Sequence, residues 1–110
     1  MKVYNLHDMK KGWFIGNFNP SVLFTDQVEV GVKKYKAGEY EPVHHHKIAT
    51  EISVITEGEV KMNGVVYKAG AILVIEPNTA TDFLALTDVT TTVVKYPGAN
   101  NDKYPGAPDA

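Results

Sequence analysis

The feature that most constrains the fold of this chain is a series of short β-type segments separated by turn residues. Apolar and polar residues alternate in "QVEVGVKKYK", and β-branched residues fill "EISVITEG". The segments "EVKMNGVVYKAG", "AILVIEP", "TDFLALTD" and "TTTVVKYP" continue the series, at intervals of roughly 8–12 residues. No window carries the i, i+3, i+4, i+7 apolar stripe of an amphipathic helix. The pattern predicts an all-β sandwich or barrel.

Turn residues divide the chain into a core and two ends. Asn63-Gly64 accepts the positive φ angles of a type I′ turn and predicts a hairpin. "GWFIGNF" near the start predicts an edge or lid strand. From Pro97 onward Gly, Pro, Asn and Asp dominate, which indicates an irregular tail over 97–110. We expect a single domain over 1–110 with a core of about 28–96.

Charge and composition exclude several classes of partner. The 110 residues carry a net charge of −2 without a basic block, so we expect neither a nucleic-acid nor a membrane-surface partner. Cysteine is absent, which excludes disulfides and thiolate sites and suits a reducing compartment. No apolar run reaches the length of a signal peptide or a membrane span. We therefore expect a cytoplasmic protein.

The segment "EISVITE" predicts an assembly. Ile52 and Val54 share one face of a strand, while Glu51, Ser53 and Ile55 share the other. Both faces thus carry apolar side chains, and only one can face the domain's own core. We expect a homodimer.

Three consecutive histidines in "HHHKIATE" predict a binding site to which two of the three contribute. Strand alternation places His44 and His46 on one face and His45 on the other. A tight turn at "KIAT" would return Glu51 beside them. Two neutral imidazoles and one carboxylate form a facial set of ligands for a divalent first-row metal. The alternative is a pair of solvated histidines on an exposed strand.

The spacing of these residues resembles the cupin family. Gly38, His44, His46, Glu51 and Gly58 match its first motif without a gap. The resemblance implies a double-stranded β-helix, the small jelly-roll barrel of the cupins, which is usually dimeric and holds its pocket inside the barrel mouth. It also implies that the two histidines and the glutamate bind a metal.

The second cupin motif is degraded. Gly70 and Pro77 fit it, but Thr79 replaces a turn glycine and Asp82 stands where a third histidine would be. The resemblance makes Asp82 a fourth metal ligand. A hard carboxylate oxygen in place of an imidazole favours Mn, Fe or Zn over softer ions, and Ni is also kept among the candidate ions. The alternative for Asp82 is a surface aspartate close to a turn.

Three functions remain open. The first is a metal-binding cupin for a small molecule, with a carbohydrate or sugar derivative as the suggested class. The second is a metal-free sugar-nucleotide isomerase or epimerase, with His44 or His46 as base, Asp82 as its partner and a tyrosine as acid. Its candidate acids are Tyr35, Tyr40 and Tyr67. The third is a binding or sensor module without catalysis, so whether the chain is an enzyme stays open.

Lysines near the strand ends have two interpretations. Lys34, Lys36 and Lys95 could attract an anionic substrate. Lysines at sheet edges more often prevent edge-to-edge pairing and favour solubility. The sequence favours the second interpretation.

Overall fold

The computed structural model describes residues 1–109, which form ten strands and one 3₁₀ helix, Leu6–Asp8. The strands are β1 (Trp13–Ile15), β2 (Glu29–Tyr35), β3 (Tyr40–His45), β4 (Thr50–Glu57), β5 (Glu59–Met62), β6 (Val65–Lys68), β7 (Ile72–Ile75), β8 (Thr81–Ala85), β9 (Val89–Tyr96) and β10 (Tyr104–Pro105). No helix within 1–109 is long and apolar enough to cross a membrane.

The strands form two antiparallel sheets of five. One sheet has the order β1-β2-β9-β4-β7, and the other has the order β10-β3-β8-β5-β6. From β2 to β9 the chain repeatedly crosses between the sheets, as it does in a jelly roll. The all-β prediction is confirmed.

The predicted hairpin joins β5 and β6. Met62 pairs with Val65 across a two-residue turn. Asn63 and Gly64 have φ angles of 49° and 81°, which is the conformation that a type I′ turn requires. Strand β6 of this hairpin is an edge strand of the second sheet.

The core fills one end of the space between the sheets. Along β9, for example, Val89 is fully buried in the core, whereas Lys95 at the other end of the strand lines a cavity. The core cluster consists of Ile55, Val60, Met62, Phe83, Ala85 and Val89. Apolar burial therefore closes one end of the barrel and leaves the other end for polar side chains.

Strand β3 contains a bulge that changes which side chains face inward. Glu41 pairs with Phe83 and His44 pairs with Thr81, so β3 has one residue more than β8 between these pairs. Because of this extra residue, Glu41 and His44 both line the space between the sheets, although three positions separate them.

The first sheet presents an uncharged outer face, defined here by two rows of paired residues. One row is Val30, Val94, Ile52 and Val74, and the other is Val32, Thr92, Val54 and Ile72. Ile72 and Val74 are 65% and 60% exposed. Such a row of apolar side chains without charge is unusual on the free surface of a monomer.

The tail differs from the predicted irregular segment at two points. Tyr104 pairs with His45 and Pro105 pairs with His44, so β10 extends the second sheet. Asp102 is only 6% exposed. Backbone pairing with β3, which composition does not reveal, orders this part of the tail.

Candidate functional site

The polar end of the barrel contains a cavity of about 310 Å³. The predicted site residues His44, His46 and Glu51 all line it, and Glu41 lies with them. Phe83 and other apolar side chains form its inner wall. A cavity of this volume lies at the lower end of the range of small-molecule sites, and polar and charged side chains make up more of its lining than is usual there.

His44 and His46 enter the cavity from the end of β3. Their ring centroids are 5.6 Å apart and the rings are nearly perpendicular. The His44 Nδ1 atom lies 3.0 Å from the carbonyl oxygen of Pro42. Because a carbonyl oxygen only accepts, this hydrogen bond places the proton on Nδ1 and leaves Nε2 as the lone-pair nitrogen of the neutral ring.

His46 has a buried polar atom without a partner. The side chain is 4% exposed, and its Nε2 has no hydrogen bond within residues 1–109. Burial lowers the pKa of His46, and the charge of Lys95 lowers it further, against the opposing effect of Glu51. The imidazole is therefore neutral at pH 7, the form in which it binds a metal or accepts a proton.

Glu51 lies in the same cavity, where the Ser53 hydroxyl donates a hydrogen bond of 3.0 Å to it. Among residues 1–109, no three His, Cys, Asp or Glu side chains are grouped closely enough to hold a metal ion. The unpaired Nε2 of His46, the Nε2 of His44 and the Glu51 carboxylate match a divalent ion in their chemistry. Their arrangement is not that of a closed metal centre.

Asp82 is not in the cavity, and its predicted role as a fourth ligand is corrected. Its neighbours Thr81 and Phe83 face inward, so alternation turns Asp82 to the outside. There its carboxylate accepts a 2.7 Å hydrogen bond from the backbone N–H of Asn63. Its own N–H donates to the Asn63 side chain at 3.2 Å. Asp82 thus stabilises the β5–β6 hairpin.

We expect Asp82→Ala to lower the free energy of unfolding by about 1 kcal/mol, because it removes a partly exposed hydrogen bond. Urea denaturation would measure this loss. Metal uptake, measured by calorimetric titration, should remain that of the unmodified chain. Loss of metal uptake in this variant would contradict this placement and indicate that Asp82 binds the metal.

His45 faces away from the cavity, as strand alternation predicts. It is 3% exposed, and its Nδ1 lies 2.7 Å from the carbonyl oxygen of Gly106. Its ring stacks on Tyr104 with a centroid distance of 5.6 Å. His45 therefore attaches the tail to β3.

The three candidate tyrosines occupy different places. Tyr35 lines the cavity, and its hydroxyl donates a 3.1 Å hydrogen bond to Glu41. Burial raises the pKa of Tyr35, and the neighbouring Glu41 raises it further. The Tyr40 hydroxyl lies 3.5 Å from Asp82, and Tyr67 packs against the core. The predicted His–Asp–Tyr set is not brought together.

Four lysines line the cavity, of which the sequence singled out one. They are Lys11, Lys33, Lys95 and Lys103. Burial lowers the pKa of Lys33; Glu41 raises it, and the other three lysines lower it. The two other predicted candidates, Lys34 and Lys36, are not among the residues that line this cavity.

Asp102 fixes the turn that separates the two histidines from Glu51. Its carboxylate accepts hydrogen bonds from three consecutive backbone N–H groups, those of Lys47, Ile48 and Ala49, at 2.9, 3.0 and 2.9 Å. Burial alone would raise the pKa of Asp102, but these hydrogen bonds lower it below its ordinary value. The sequence reasoning missed this residue.

Comparisons with known proteins identify the fold. No family model and no curated protein matches the chain. A Klebsiella pneumoniae protein with a double-stranded β-helix domain has a TM-score of 0.70 at 20% identity, over 97% of this chain and 93% of that one. An RmlC-like cupin from Desulfovibrio desulfuricans has a TM-score of 0.61 at 26% identity, over 90% and 99%. A cupin-superfamily sugar phosphate isomerase from Silicibacter pomeroyi has a TM-score of 0.59 at 18% identity, over 66% and 52%.

Proposed function

We propose that this chain, which has the double-stranded β-helix fold of the cupin superfamily, binds a small carbohydrate derivative in the cavity between its sheets and acts on it there. The observation that carries the proposal is the buried Nε2 of His46, which has no hydrogen-bond partner within residues 1–109. The Nε2 of His45 is also buried without a partner there, but only His46 lines the cavity. A buried polar atom of this kind calls for a ligand. The similarity to a sugar phosphate isomerase favours the carbohydrate class.

A divalent ion is the second part of the proposal. Mn, Fe, Zn or Ni would be held by His44, His46 and Glu51, which offer two neutral nitrogens and one carboxylate. When bound, such an ion supplies a positive charge that polarises an oxygen of the ligand.

The chain's own residues orient the ligand and hold protons. Tyr35 keeps its proton at neutral pH because its pKa is raised, and it directs that proton to Glu41. Ser53 restrains the Glu51 carboxylate. The apolar inner wall excludes water and strengthens these polar contacts.

The metal-free alternative keeps one specific observation in its favour. Tyr35 lines the same cavity as His44 and His46, so an acid and a base share one space. Turnover that survives a chelator and is lost in His46→Asn would favour this alternative.

A metal titration tests the leading proposal. We expect chelator-treated protein to take up about one equivalent of at least one of the four ions in calorimetry. The double variant His44→Ala/His46→Ala should take up none. Protein that binds none of the four ions, or a double variant that binds as well as the unmodified chain, would contradict the metal part of the proposal.

We also propose that two copies associate through the outer face of the first sheet. Its two uncharged rows would bury apolar area against a second copy. Sedimentation should give twice the 12.1 kDa chain mass, and the double variant Ile72→Lys/Val74→Lys should sediment as a monomer. The control Val66→Lys changes an exposed valine on the other sheet and should stay dimeric. A monomeric unmodified chain would contradict the proposal.

A further inference from the structure

Positive charge is concentrated in the cavity of a chain whose net charge is negative. The chain carries −2 overall, yet four of its 11 basic residues, all lysines, line this one space. Glu41 and Glu51 are the acidic residues of the lining, so the lysines leave a surplus of two positive charges. A surplus of one sign inside a cavity concentrates ligands of the other sign.

These lysines have no counter-ion of their own. Within residues 1–109 the one ion pair joins Lys68 and Glu59, neither of which lines the cavity. The Lys33 ammonium donates instead to the neutral carbonyl oxygen of Lys11, at 2.9 Å. Gathering like charges costs free energy unless something neutralises them, and the two lining carboxylates, Glu41 and Glu51, offset only two of the four charges.

Trp13 holds two of the ammonium groups at the cavity. The Nζ atoms of Lys33 and Lys95 lie 5.4 and 5.0 Å from the centre of its ring. A cation–π contact fixes an ammonium without cancelling its charge, as a carboxylate would. Gly31 makes this contact possible, because a Cβ at that position would lie 2.8 Å from the Trp13 ring.

We infer that the ligand of this cavity is an anion, in which a carboxylate or phosphate group meets the lysines while the rest of the molecule extends towards His44 and His46. This inference rests on the proposed function, since it names the class of ligand for the same cavity. The cavity volume of about 310 Å³ suits a compound with a single small ring.

A matched set of sugars tests the charge. Glucose, glucuronate and glucose 6-phosphate share one ring size and differ in charge, and they would be titrated into chelator-treated and metal-loaded protein by calorimetry. At low salt we expect at least one of the two anions to bind about tenfold or more tighter than glucose. Salt near 0.5 M should weaken the anion by about fivefold or more and leave glucose nearly unchanged. Comparison of the two anions identifies the carboxylate or the phosphate as the preferred group.

Substitutions assign the effect to the lysines. Lys33→Met and Lys95→Met should each weaken the preferred anion by about fivefold or more, because each removes one positive charge and keeps an apolar stem. Lys34→Met makes the same charge change on the neighbouring strand residue outside this lining and should stay within about twofold of the unmodified chain. Glu41→Gln should tighten the anion, since it removes a repelling charge and leaves Tyr35 an acceptor.

The outcomes separate this inference from the proposed function. Equal binding of glucose and both anions, or equal losses in Lys33→Met and Lys34→Met, would overturn the inference; with normal metal uptake, the proposed function would stand. If neither a metal nor any of the three sugars bound, the proposed function would fail, and the inference with it. If a lysine variant did not fold, the salt dependence of anion binding and the anion affinity of Glu41→Gln would still test the inference.

Discussion

His46→Ala is expected to lower the affinity for a divalent metal by at least about 100-fold, whereas His45→Ala is expected to leave it unchanged. Loss of a residue that only orients a ligand already costs about 10- to 100-fold in metal affinity, and loss of a ligand itself should cost more. The two residues are neighbours in sequence and equally buried, but only His46 lines the cavity. Calorimetric titration of both variants with the same ion would measure the difference.

Stability should show a second difference between these variants. His45→Ala removes the hydrogen bond to Gly106 and the stacking on Tyr104, so we expect a loss of about 2 kcal/mol in the free energy of unfolding. His7→Ala is the matched control, because His7 is exposed and is not among the residues that line the cavity, and it should change neither quantity. Equal losses of metal affinity in the His45 and His46 variants would contradict the assignment of faces.

Asp102→Ala should be among the most destabilising substitutions in the chain, with a loss of about 3 kcal/mol or more in the free energy of unfolding. It leaves three backbone N–H groups without their acceptor, and one of them belongs to the buried Ala49. Asp102→Asn should recover part of this loss, because its one carbonyl oxygen can accept from Ile48 and Ala49, whereas its amide NH₂ meets the N–H donor of Lys47. Asp109→Ala removes an exposed carboxylate from the same tail and should have no effect beyond about 0.5 kcal/mol.

The pH dependence of the free energy of unfolding shows how much of the Asp102 contribution comes from the negative charge of its carboxylate. The folded-state pKa of Asp102 lies below the unfolded value, so its contribution is fully present above about pH 4. It is lost as the pH falls from there through the folded pKa. The stability difference between the unmodified chain and Asp102→Asn should therefore shrink in urea titrations below about pH 4. A difference that stays constant down to pH 2 would show that the carboxylate charge contributes nothing.

Strand periodicity was sufficient to separate the three histidines. Side chains alternate through the end of β3 at His45 and on to His46, so counting residues was enough to predict that His44 and His46 share a face. Cavity residues on neighbouring strands could not be found in this way. Lys33 lies one position from Lys34, and only the pairing of β2 with β9 decides which of them faces inward.

The wrong placement of Asp82 and the absence of Glu41 from the predicted site have the same origin. The turn before β8 sets which of its residues face the cavity, and its length placed Thr81 inside and Asp82 outside. The bulge in β3 brought Glu41 to the inner face, although alternation counted from His44 would exclude it. Turn length and bulges change which residues of a strand face inward when alternate positions are counted, and neither is visible in a hydrophobic pattern.

Asp102 illustrates a limit of a different kind. Its three hydrogen bonds join positions 53 to 55 residues apart. Nothing in the composition of the tail distinguishes Asp102 from Asp109, its one other aspartate. Only the closed fold brings the tail to the turn.

The bulge in β3 also bears on how the length of this chain could change. Elsewhere in a strand, deletion of one residue exchanges the inner and outer faces for every residue beyond it. Between Glu41 and His44, β3 already has one residue more than β8. Removal of Pro42 or Val43 would convert the bulge into regular pairing and keep Glu41 and His44 on the inner face. Homologues that are one residue shorter at this point could therefore retain the same cavity.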